Sequence, residues 1–560
     1  MFVNPSSNLA SGSVQPLSNI RGRMAGPSTT VELSIRCVDL SDRDLLSKSD
    51  PVCVLYQKSG QLNDSCWREI GRTEVIENSL SPAWEKKFII EYRFEERQQV
   101  KFEVYDADSS TNELSDHDFL GRCDTTLGQI VSSQGKQYVS VLKGKSTKET
   151  TSGKILVTAE ELASNKEVVT FGLEGKKLDN KDMFGKSDPF LTIYKQSSNG
   201  QWTLVHKTEV ISNDLNPNWK PFKINMLSLC NGDYERKLKI QVDDYDNDGS
   251  HDLIGSFTTT MKGLKTAVIE KTVFELINDK KKAKKGNSYK NSGKLLVNMC
   301  DIVVEPTFVD YIQGGTAINF SVAVDFTASN GDPKDTRSLH YLNPTFMENQ
   351  YTIAIRSVGN IIEDYDSDKQ FPALGFGAKI PPLNQVSHEF FLNLSTQNNP
   401  YCSGVEGLLA AYRHSLQSVE LWGPTNFSPI INHVSKFAQA YQGDGKQYFV
   451  LLILTDGIIT DLDATISSIV SASNLPLSIV IIGVGNEDFS AMDALDSDGS
   501  LLRAGGRVAS RDIVQFVELR KFLTSDGNWN KEGLAKEVLA EIPKQLVSWM
   551  TKRGIKPPRY

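Results

Sequence analysis

The stretch Asp182-Met183-Phe184-Gly185-Lys186-Ser187-Asp188-Pro189 decides how this chain is read, because its last three residues have already appeared at Ser49-Asp50-Pro51. Two further echoes follow in the same order. Thr73-Glu74-Val75-Ile76 returns as Thr208-Glu209-Val210-Ile211, and Ser81-Pro82-Ala83-Trp84 as Asn216-Pro217-Asn218-Trp219. The copies lie 138, 135 and 135 positions apart, so a module of about 130 residues stands twice in tandem. Its runs are short, alternating and rich in Val, Ile, Thr and aromatics. They fall at Val31 to Val38, Pro51 to Gln57, Lys86 to Tyr92, Val100 to Tyr105 and Lys154 to Ala159. The second copy has them at Phe190 to Tyr194, Phe222 to Met226, Leu238 to Val242 and Lys294 to Met299. Broken by Gly, Asn, Asp and Pro, such runs predict two all-β antiparallel sandwiches.

After Glu305-Pro306 the pattern changes. Apolar runs at Ala317 to Phe326, Phe371 to Gly377, Phe449 to Leu454 and Ser478 to Val484 alternate with helical periods at Ser403 to Ser418, Pro429 to Tyr441 and Leu462 to Ser473. This predicts an α/β doubly wound domain with a largely parallel sheet. The expected organisation is a disordered leader at 1–26, sandwiches at 27–161 and 162–304, the α/β domain at 305–545 and a flexible tail at 546–560.

Composition bounds the function. In 560 residues, 39% are hydrophobic and 23% charged, which excludes collagen-like, disordered and coiled-coil classes. A net charge of −8 disfavours nonspecific attraction to nucleic acid. The seven cysteines, Cys37, Cys53, Cys66, Cys123, Cys230, Cys300 and Cys402, share no metal-binding spacing and are expected to be reduced thiols. Met1 to Gly26 lacks the apolar core of a secretory signal. The strongest apolar runs, Tyr448 to Leu454 and Leu477 to Val484, fall short of the roughly twenty residues that span a bilayer, so membrane contact is expected to be peripheral.

Each sandwich carries five recurring acids: Asp44, Asp50, Asp106, Asp108 and Asp118 in the first, Asp182, Asp188, Asp244, Asp246 and Asp252 in the second. If the two acidic loops of a sandwich lie side by side, five carboxylates converge. Two carboxylates about 5 Å apart at an effective dielectric near 20 repel by roughly 3 kcal/mol, a cost that a hard divalent cation removes. Ca²⁺, with six to eight oxygen ligands in flexible geometry, suits such loops. An EF-hand is rejected, because Gly255 stands where its loop needs a final Glu and the flanks read as strands. Leu45-Leu46 and Met183-Phe184 lie between paired aspartates and are expected to insert into a membrane, yielding roughly 1.5 to 3 kcal/mol each once the acids are neutralised. The run Lys280-Lys281-Lys282-Ala283-Lys284-Lys285, read as a loop, would draw anionic headgroups at about 1 kcal/mol per lysine.

In the α/β domain, Val322-Ala323-Val324-Asp325-Phe326-Thr327-Ala328-Ser329 places Asp-x-Thr-x-Ser at the end of an apolar strand, where open α/β sheets bind ligands. Gly423-Pro424-Thr425-Asn426 adds a hydroxyl and Leu454-Thr455-Asp456-Gly457 a carboxylate. This oxygen set suits six-coordinate Mg²⁺ or Mn²⁺.

The sandwich loops resemble those of the C2 domain family, which bind Ca²⁺ and then anionic lipid. The second matches tightly through Asp182 to Asp188, Asp244-Tyr245-Asp246 and His251-Asp252-Leu253-Ile254-Gly255. In the first, Asp108 and Asp118 are ten residues apart against six between Asp246 and Asp252, which leaves Asp116 as a competitor for the fifth position. The third domain resembles a von Willebrand factor A domain with its metal-ion-dependent adhesion site. That resemblance implies Asp325, Thr327, Ser329, Thr425 and Asp456 around a metal whose shell a partner's acidic side chain completes, with Thr327 where Ser is commoner. Two C2 modules followed by this domain, with Asp325-Phe326-Thr327-Ala328-Ser329-Asn330-Gly331-Asp332-Pro333 at its start, are similar to the copine family. This implies a calcium-dependent phospholipid-binding protein, cytoplasmic and recruited to the plasma membrane or other membranes, with the nucleus also open to it. Its partners are expected to be anionic membranes and intracellular target proteins, without nucleic acid.

No enzyme is expected. There is no Gly-x-Ser-x-Gly turn, His388-Glu389 lacks the second histidine of a zinc protease, and the Gly-Lys-Ser triplets at 144–146 and 185–187 have Val139 and Asn180 in place of the first phosphate-loop glycine. Gly483-Val484-Gly485 lacks the third glycine of a dinucleotide site. A C2-targeted kinase or lipid hydrolase, and an A-domain adhesion protein, are the alternatives.

Overall fold

A computed structural model describes residues 29–43, 48–58, 66–109, 111–145, 150–162, 166–182, 185–197, 200–246, 251–344, 348–366, 368–394, 399–496 and 500–557. The predicted leader at 1–26 and the loop residues Asp44, Leu45, Leu46, Met183 and Phe184 lie outside the described residues.

The first sandwich is built from β1 (Thr29–Val38), β2 (Pro51–Lys58), β3 (Trp67–Arg72), β4 (Phe88–Tyr92), β5 (Gln99–Asp106), β6 (Asp118–Thr126), β7 (Gln137–Lys143) and β8 (Thr150–Glu161), with helix α1 (Leu127–Ser132) after β6. Its layers are β3-β2-β5-β6 and β7-β8-β1-β4, joined at a corner by the single pair Arg122↔Lys143. The second has β9 (Glu167–Lys176), β10 (Pro189–Gln196), β11 (Trp202–Lys207), β12 (Phe222–Asn225), β13 (Lys237–Asp244), β14 (Asp252–Thr260), β15 (Val273–Glu275) and β16 (Lys294–Val304). Its layers, β11-β10-β13-β14 and β12-β9-β16-β15, repeat those of the first strand for strand. Alternation does the sorting: in β4, Phe88, Ile90 and Tyr92 face inward and Ile89 and Glu91 outward.

The sequence echoes are repeated hydrogen bonds. Thr73 Oγ1 accepts the Cys53 N–H, and Thr208 Oγ1 the Leu191 N–H, both at 2.9 Å. The indole N–H of Trp84 donates to Pro51 O at 3.2 Å, and that of Trp219 to Pro189 O at 3.3 Å. Each ties a loop to the strand that follows Asp50 or Asp188, and so fixes where those acids stand.

Three short helices belong to the second sandwich: α2 (Met226–Cys230), α3 (Met261–Glu270) and α4 (Asp279–Lys285). The last corrects the reading of Lys280 to Lys285 as a loop. Asn278 caps the segment by accepting the Lys281 N–H at 3.1 Å, and its lysines complement the carboxyl end of the helix dipole.

After α5 (Phe308–Gln313), the α/β domain runs through β17 (Ala317–Asp325), α6 (Gln350–Ile362), β18 (Gln370–Phe376), β19 (Ala378–Ile380), β20 (Gln385–Ser387), β21 (Phe390–Phe391), β22 (Tyr401–Ser403), α7 (Gly404–Ser418), β23 (Glu420–Leu421), α8 (Ser428–Ala440), β24 (Gln447–Thr455), α9 (Leu462–Ala472), β25 (Leu477–Gly483), α10 (Ser490–Leu495), β26 (Arg503–Ala504), β27 (Arg507–Val508), β28 (Val514–Glu518), α11 (Lys531–Leu539) and α12 (Ile542–Lys552). Strands β18, β17, β24, β25 and β28 pair in parallel, and β21 adds an antiparallel edge. Both faces are covered. Along β24, Phe449, Leu451 and Ile453 join a core with Ile430, Val434 and Ile469, while Val450, Leu452 and Leu454 join another with Ile355, Val358 and Leu546. The predicted flexible tail from 546 is corrected: α12 continues to Lys552, and Leu546, Trp549 and Met550 are buried.

The first sandwich and the α/β domain share one core. Phe94 packs on Phe308 and Tyr365, with ring centroids 4.9 and 4.8 Å apart, and the Tyr92 and Tyr365 hydroxyls are 2.6 Å apart. Asp364 accepts from Thr126 Oγ1 at 2.7 Å and Gln129 Nε2 at 3.0 Å, and Gln313 Nε2 donates to Ala159 O at 2.7 Å. The second sandwich encloses a separate core.

Candidate functional site

The acidic ends of the two sandwiches are built alike. Asp106 Oδ1 accepts the Asp50 N–H and Asp244 Oδ1 the Asp188 N–H, each at 2.6 Å. Asp50 Oδ1 accepts the Asn78 N–H at 2.7 Å, and Asp188 Oδ1 the Asn213 N–H at 2.6 Å. In each sandwich these carboxylate oxygens fix the acidic loop to the strand. Strand register pairs Asp106 with Asp118 and Asp244 with Asp252, so Asp118 occupies the position of Asp252. Asp116 accepts instead from Thr111 Oγ1 at 2.9 Å. Asp108 Oδ2 takes the Asp118 N–H at 2.8 Å, where in the second loop the Asp246 N–H reaches His251 Nδ1 at 3.1 Å.

In the second sandwich the acids act on one another. The carboxyl of Asp182 is pushed above its ordinary value by desolvation and then by the negative fields of Asp244, Asp188, Asp246 and Asp252. Asp244 is only 1% exposed, and among the described residues its buried Oδ2 accepts no hydrogen bond. A buried carboxylate oxygen without a donor is costly, and a hard cation satisfies it. Among the described residues, no three His, Cys, Asp or Glu side chains stand close enough to grip a metal as they are.

Helix α4 lies beside this end. Its cap Asn278 donates through Nδ2 to Leu253 O at 2.8 Å, next to Asp252. Lys281 pairs with Asp179 at 2.8 Å, three residues before Asp182, leaving Lys280, Lys282, Lys284 and Lys285 exposed.

In the α/β domain, β17 carries its last residue, Asp325, to the carboxyl edge of the sheet, where it is fully buried. Asp325 Oδ1 accepts the Thr327 N–H at 2.8 Å and hydroxyl at 2.6 Å, and Oδ2 the Thr455 hydroxyl at 2.6 Å. Thr327 Oγ1 lies 2.9 Å from Ser329 Oγ, which donates to Asp456 Oδ1 at 3.0 Å. Thr425 joins them: a Cβ added at Gly457 would stand 3.3 Å from Thr425 Oγ1 and 3.8 Å from Ser329 Oγ. Burial raises the Asp325 carboxyl above its usual range. Burial, followed by the charge of Asp325, pushes Asp456 up to about 7. Two crowded, desolvated carboxylates among hydroxyls form an all-oxygen set that fits Mg²⁺ or Mn²⁺.

An inner layer supports this set, and sequence reasoning missed it. His340 Nε2–H donates to Asp325 O, and the Tyr412 hydroxyl to His340 Nδ1, both at 2.8 Å. Burial lowers the His340 imidazole to about 3, so it stays neutral and holds the loop without adding charge. Tyr351 stacks on it at 4.2 Å and donates to Asn330 Oδ1 at 2.6 Å. The one sequence signal was Asn330, within the quoted Asp325 to Pro333 stretch.

The copine family model matches residues 338–558 and the C2 domain model residues 30–142 and 167–276. "Nicotinic receptor-associated protein 1" of Caenorhabditis briggsae is 46% identical over 572 residues, which cover 95% of this chain and 90% of that protein. Among solved structures, the second C2 domain of BON1 is 27% identical and covers 25% of this chain and 95% of its own, with a TM-score of 0.22. The calcium-bound pair of C2 domains from Extended-Synaptotagmin 2 is 16% identical and covers 50% and 100%, also with a TM-score of 0.22.

Proposed function

This chain belongs to the copine family of membrane-binding adaptors rather than enzymes, and from that premise we propose that it is a calcium-operated one. It moves from the cytosol to anionic membranes when calcium rises and there presents its A domain to target proteins. The observation that carries the reading is the crowding in the second sandwich: desolvation and then four aspartates raise the Asp182 carboxyl, and among the described residues the buried Asp244 Oδ2 accepts no hydrogen bond. No helix among the described residues is long and apolar enough to cross a membrane, which agrees with peripheral attachment through loops.

The residues divide the work. Asp182, Asp188, Asp244, Asp246 and Asp252, with Asp44, Asp50, Asp106, Asp108 and Asp118 in the first sandwich, repel both one another and an acidic bilayer. Bound calcium supplies the compensating charge. Lys280, Lys282, Lys284 and Lys285 then face headgroups from the same end, at about 1 kcal/mol each near the surface. Leu45, Leu46, Met183 and Phe184, from the loops between the paired acids, enter the acyl boundary. In the A domain, Asp325, Thr327, Ser329, Thr425 and Asp456 hold Mg²⁺ or Mn²⁺, which supplies a coordination position for a partner's carboxylate. The relative's name ties that protein to a nicotinic receptor. For this chain the corresponding proposal is an intracellular target protein.

Cosedimentation of the full chain with phosphatidylserine/phosphatidylcholine vesicles tests the proposal. Pelleting is expected with calcium and lost with chelator or with pure phosphatidylcholine. The double variant Asp244→Asn, Asp246→Asn should shift the calcium midpoint at least tenfold. Equal pelleting in chelator and calcium would sink the calcium switch.

A further inference from the structure

Both sandwiches are joined to the A domain by the ends that point away from their calcium loops. In the first, strand register defines the two ends. Asp106 pairs with Asp118 at one end of β5 and β6, and Gln99 with Thr126 at the other. β1 starts at Thr29, opposite Tyr92, and leads towards the loop that holds Asp50. The seam lies at the Tyr92 and Thr126 end: Phe94 meets Phe308 and Tyr365, Ala159 O takes Gln313, and Thr126 and Gln129 hold Asp364. β4 and β8 belong to one layer and α1 follows the other, so the sandwich docks by its end face. In the second, Glu167 of β9 pairs with Val304 of β16, and just outside them the Glu305 N–H donates to Lys166 O at 2.8 Å while Lys166 pairs with Asp310 at 2.7 Å. Its acids begin beyond Lys176, the far end of β9.

On the A domain these contacts gather at one edge of the sheet. α5 stands just before β17, and Asp364 and Tyr365 just before β18, at the amino ends of parallel strands. The metal set stands at the carboxyl ends, with Asp325 closing β17 and Asp456 following β24. Strand length then separates the two poles. β1 has ten residues and β17 nine, which at about 3.3 Å per residue is roughly 30 Å each. The joint between them is packed, not hinged. Gly128 is buried in α1, and a Cβ there would stand 3.0 Å from the Tyr365 hydroxyl and 3.2 Å from Asp364 Cβ. A core filled this closely resists bending.

We propose that the first sandwich is a rigid post: with its calcium loops on a bilayer, it holds the A-domain metal edge roughly 60 Å away and turned to the aqueous side. That edge is then out of reach of headgroups in the membrane the loops grip, and its partner is a protein standing clear of the lipid surface. This rests on the proposed calcium-dependent attachment, and adds to it the distance and direction from which a target is met.

The test is energy transfer from one donor on the full chain to acceptor-labelled headgroups in phosphatidylserine/phosphatidylcholine vesicles. Cys66, the exposed cysteine, is removed as Cys66→Ser. The donor is carried by Asn112→Cys, on the loop between Asp108 and Asp118, or by Ile458→Cys, two residues beyond Asp456. With calcium, transfer from position 112 should exceed that from 458 about fivefold, as the strand lengths require. Gly128→Leu, or the milder Asp364→Ala, should loosen the seam, leave pelleting unchanged and raise transfer from 458 about twofold, because transfer weights the closest approaches. Comparable transfer from the two positions, or no rise at 458 in either seam variant, overturns the inference alone. Pelleting without transfer from 112 means attachment through the second sandwich only, and also overturns it. Absence of calcium-dependent pelleting overturns the attachment reading and the inference with it.

Discussion

Replacing Asp244 with Asn separates the fold from the switch. Asp244 is almost wholly buried, and its Oδ1 holds the Asp188 N–H at 2.6 Å. The amide oxygen of Asn can keep that bond, so the loop retains its tie. A negative charge is lost from beside Asp182, whose carboxyl the field of Asp244 helps to raise. The calcium-free transition should therefore stay put or rise slightly, where an ordinary buried-polar substitution lowers it. With calcium the order reverses. A ligand present at a hundred times its dissociation constant stabilises the native state by about 2.7 kcal/mol, and one present at its dissociation constant by about 0.4 kcal/mol. Loss of one charged ligand, taken as a hundredfold in affinity, moves the variant from the first regime to the second. Scanning calorimetry of the full chain, with calcium and with chelator, reads both effects. A calcium-free transition several degrees lower in the variant would show that Asp244 is held by favourable contacts instead of crowding. An undiminished calcium-induced rise would show that it is not a ligand.

Two further perturbations probe the A domain and its seam with the first sandwich. Gly377 has φ +80, and a Cβ there would stand 2.4 Å from Thr327 Cγ2, so Gly377→Ala must turn the Thr327 hydroxyl away from Asp325. Mn²⁺ affinity should fall at least tenfold, against a stability cost of about 1–2 kcal/mol for the strained backbone; unchanged Mn²⁺ binding would refute the geometry. Glu95 is buried at the seam, where burial and then the charge of Glu96 hold its carboxyl above 4.5 while its own backbone N–H, Lys536 and Arg93 pull it down. Because the native state binds that proton more tightly than the unfolded chain, the stability it contributes is present below 4.5 and is lost as pH rises through the raised value. Glu95→Gln should therefore gain on the unmutated protein as pH increases, and melting curves that stay parallel across the range would contradict this.

The sequence was legible where it repeats. Thr73 with Thr208 and Trp84 with Trp219 are read as a pair because each performs the same hydrogen bond in two copies. Duplication served as an internal comparison, separating structural residues from neighbours free to drift, and the same comparison exposed the acids. The α/β domain occurs once and offers no such control. Its strand-end oxygens, Asp325 and Asp456, could be read because an Asp or Thr at the edge of a buried apolar run is chemically unusual. His340, Tyr351 and Tyr412 give no such signal: a lone histidine and two tyrosines among helical residues look like ordinary core until His340 is seen donating to Asp325 O. The seam was equally silent. Phe94 follows a predicted strand and Tyr365 a helix, and in each the apolar pattern is satisfied by the element's own domain. Only the 4.8 Å approach of their rings shows that each also belongs to the other's core. Periodicity records that a face is buried but not what buries it, so a chain whose domains share a core reads like one whose domains do not. The lysine run was misread for a related reason. A row of like charges looks like solvated loop, yet the Asn278 cap and the Lys281–Asp179 pair offset part of its repulsion and hold it helical.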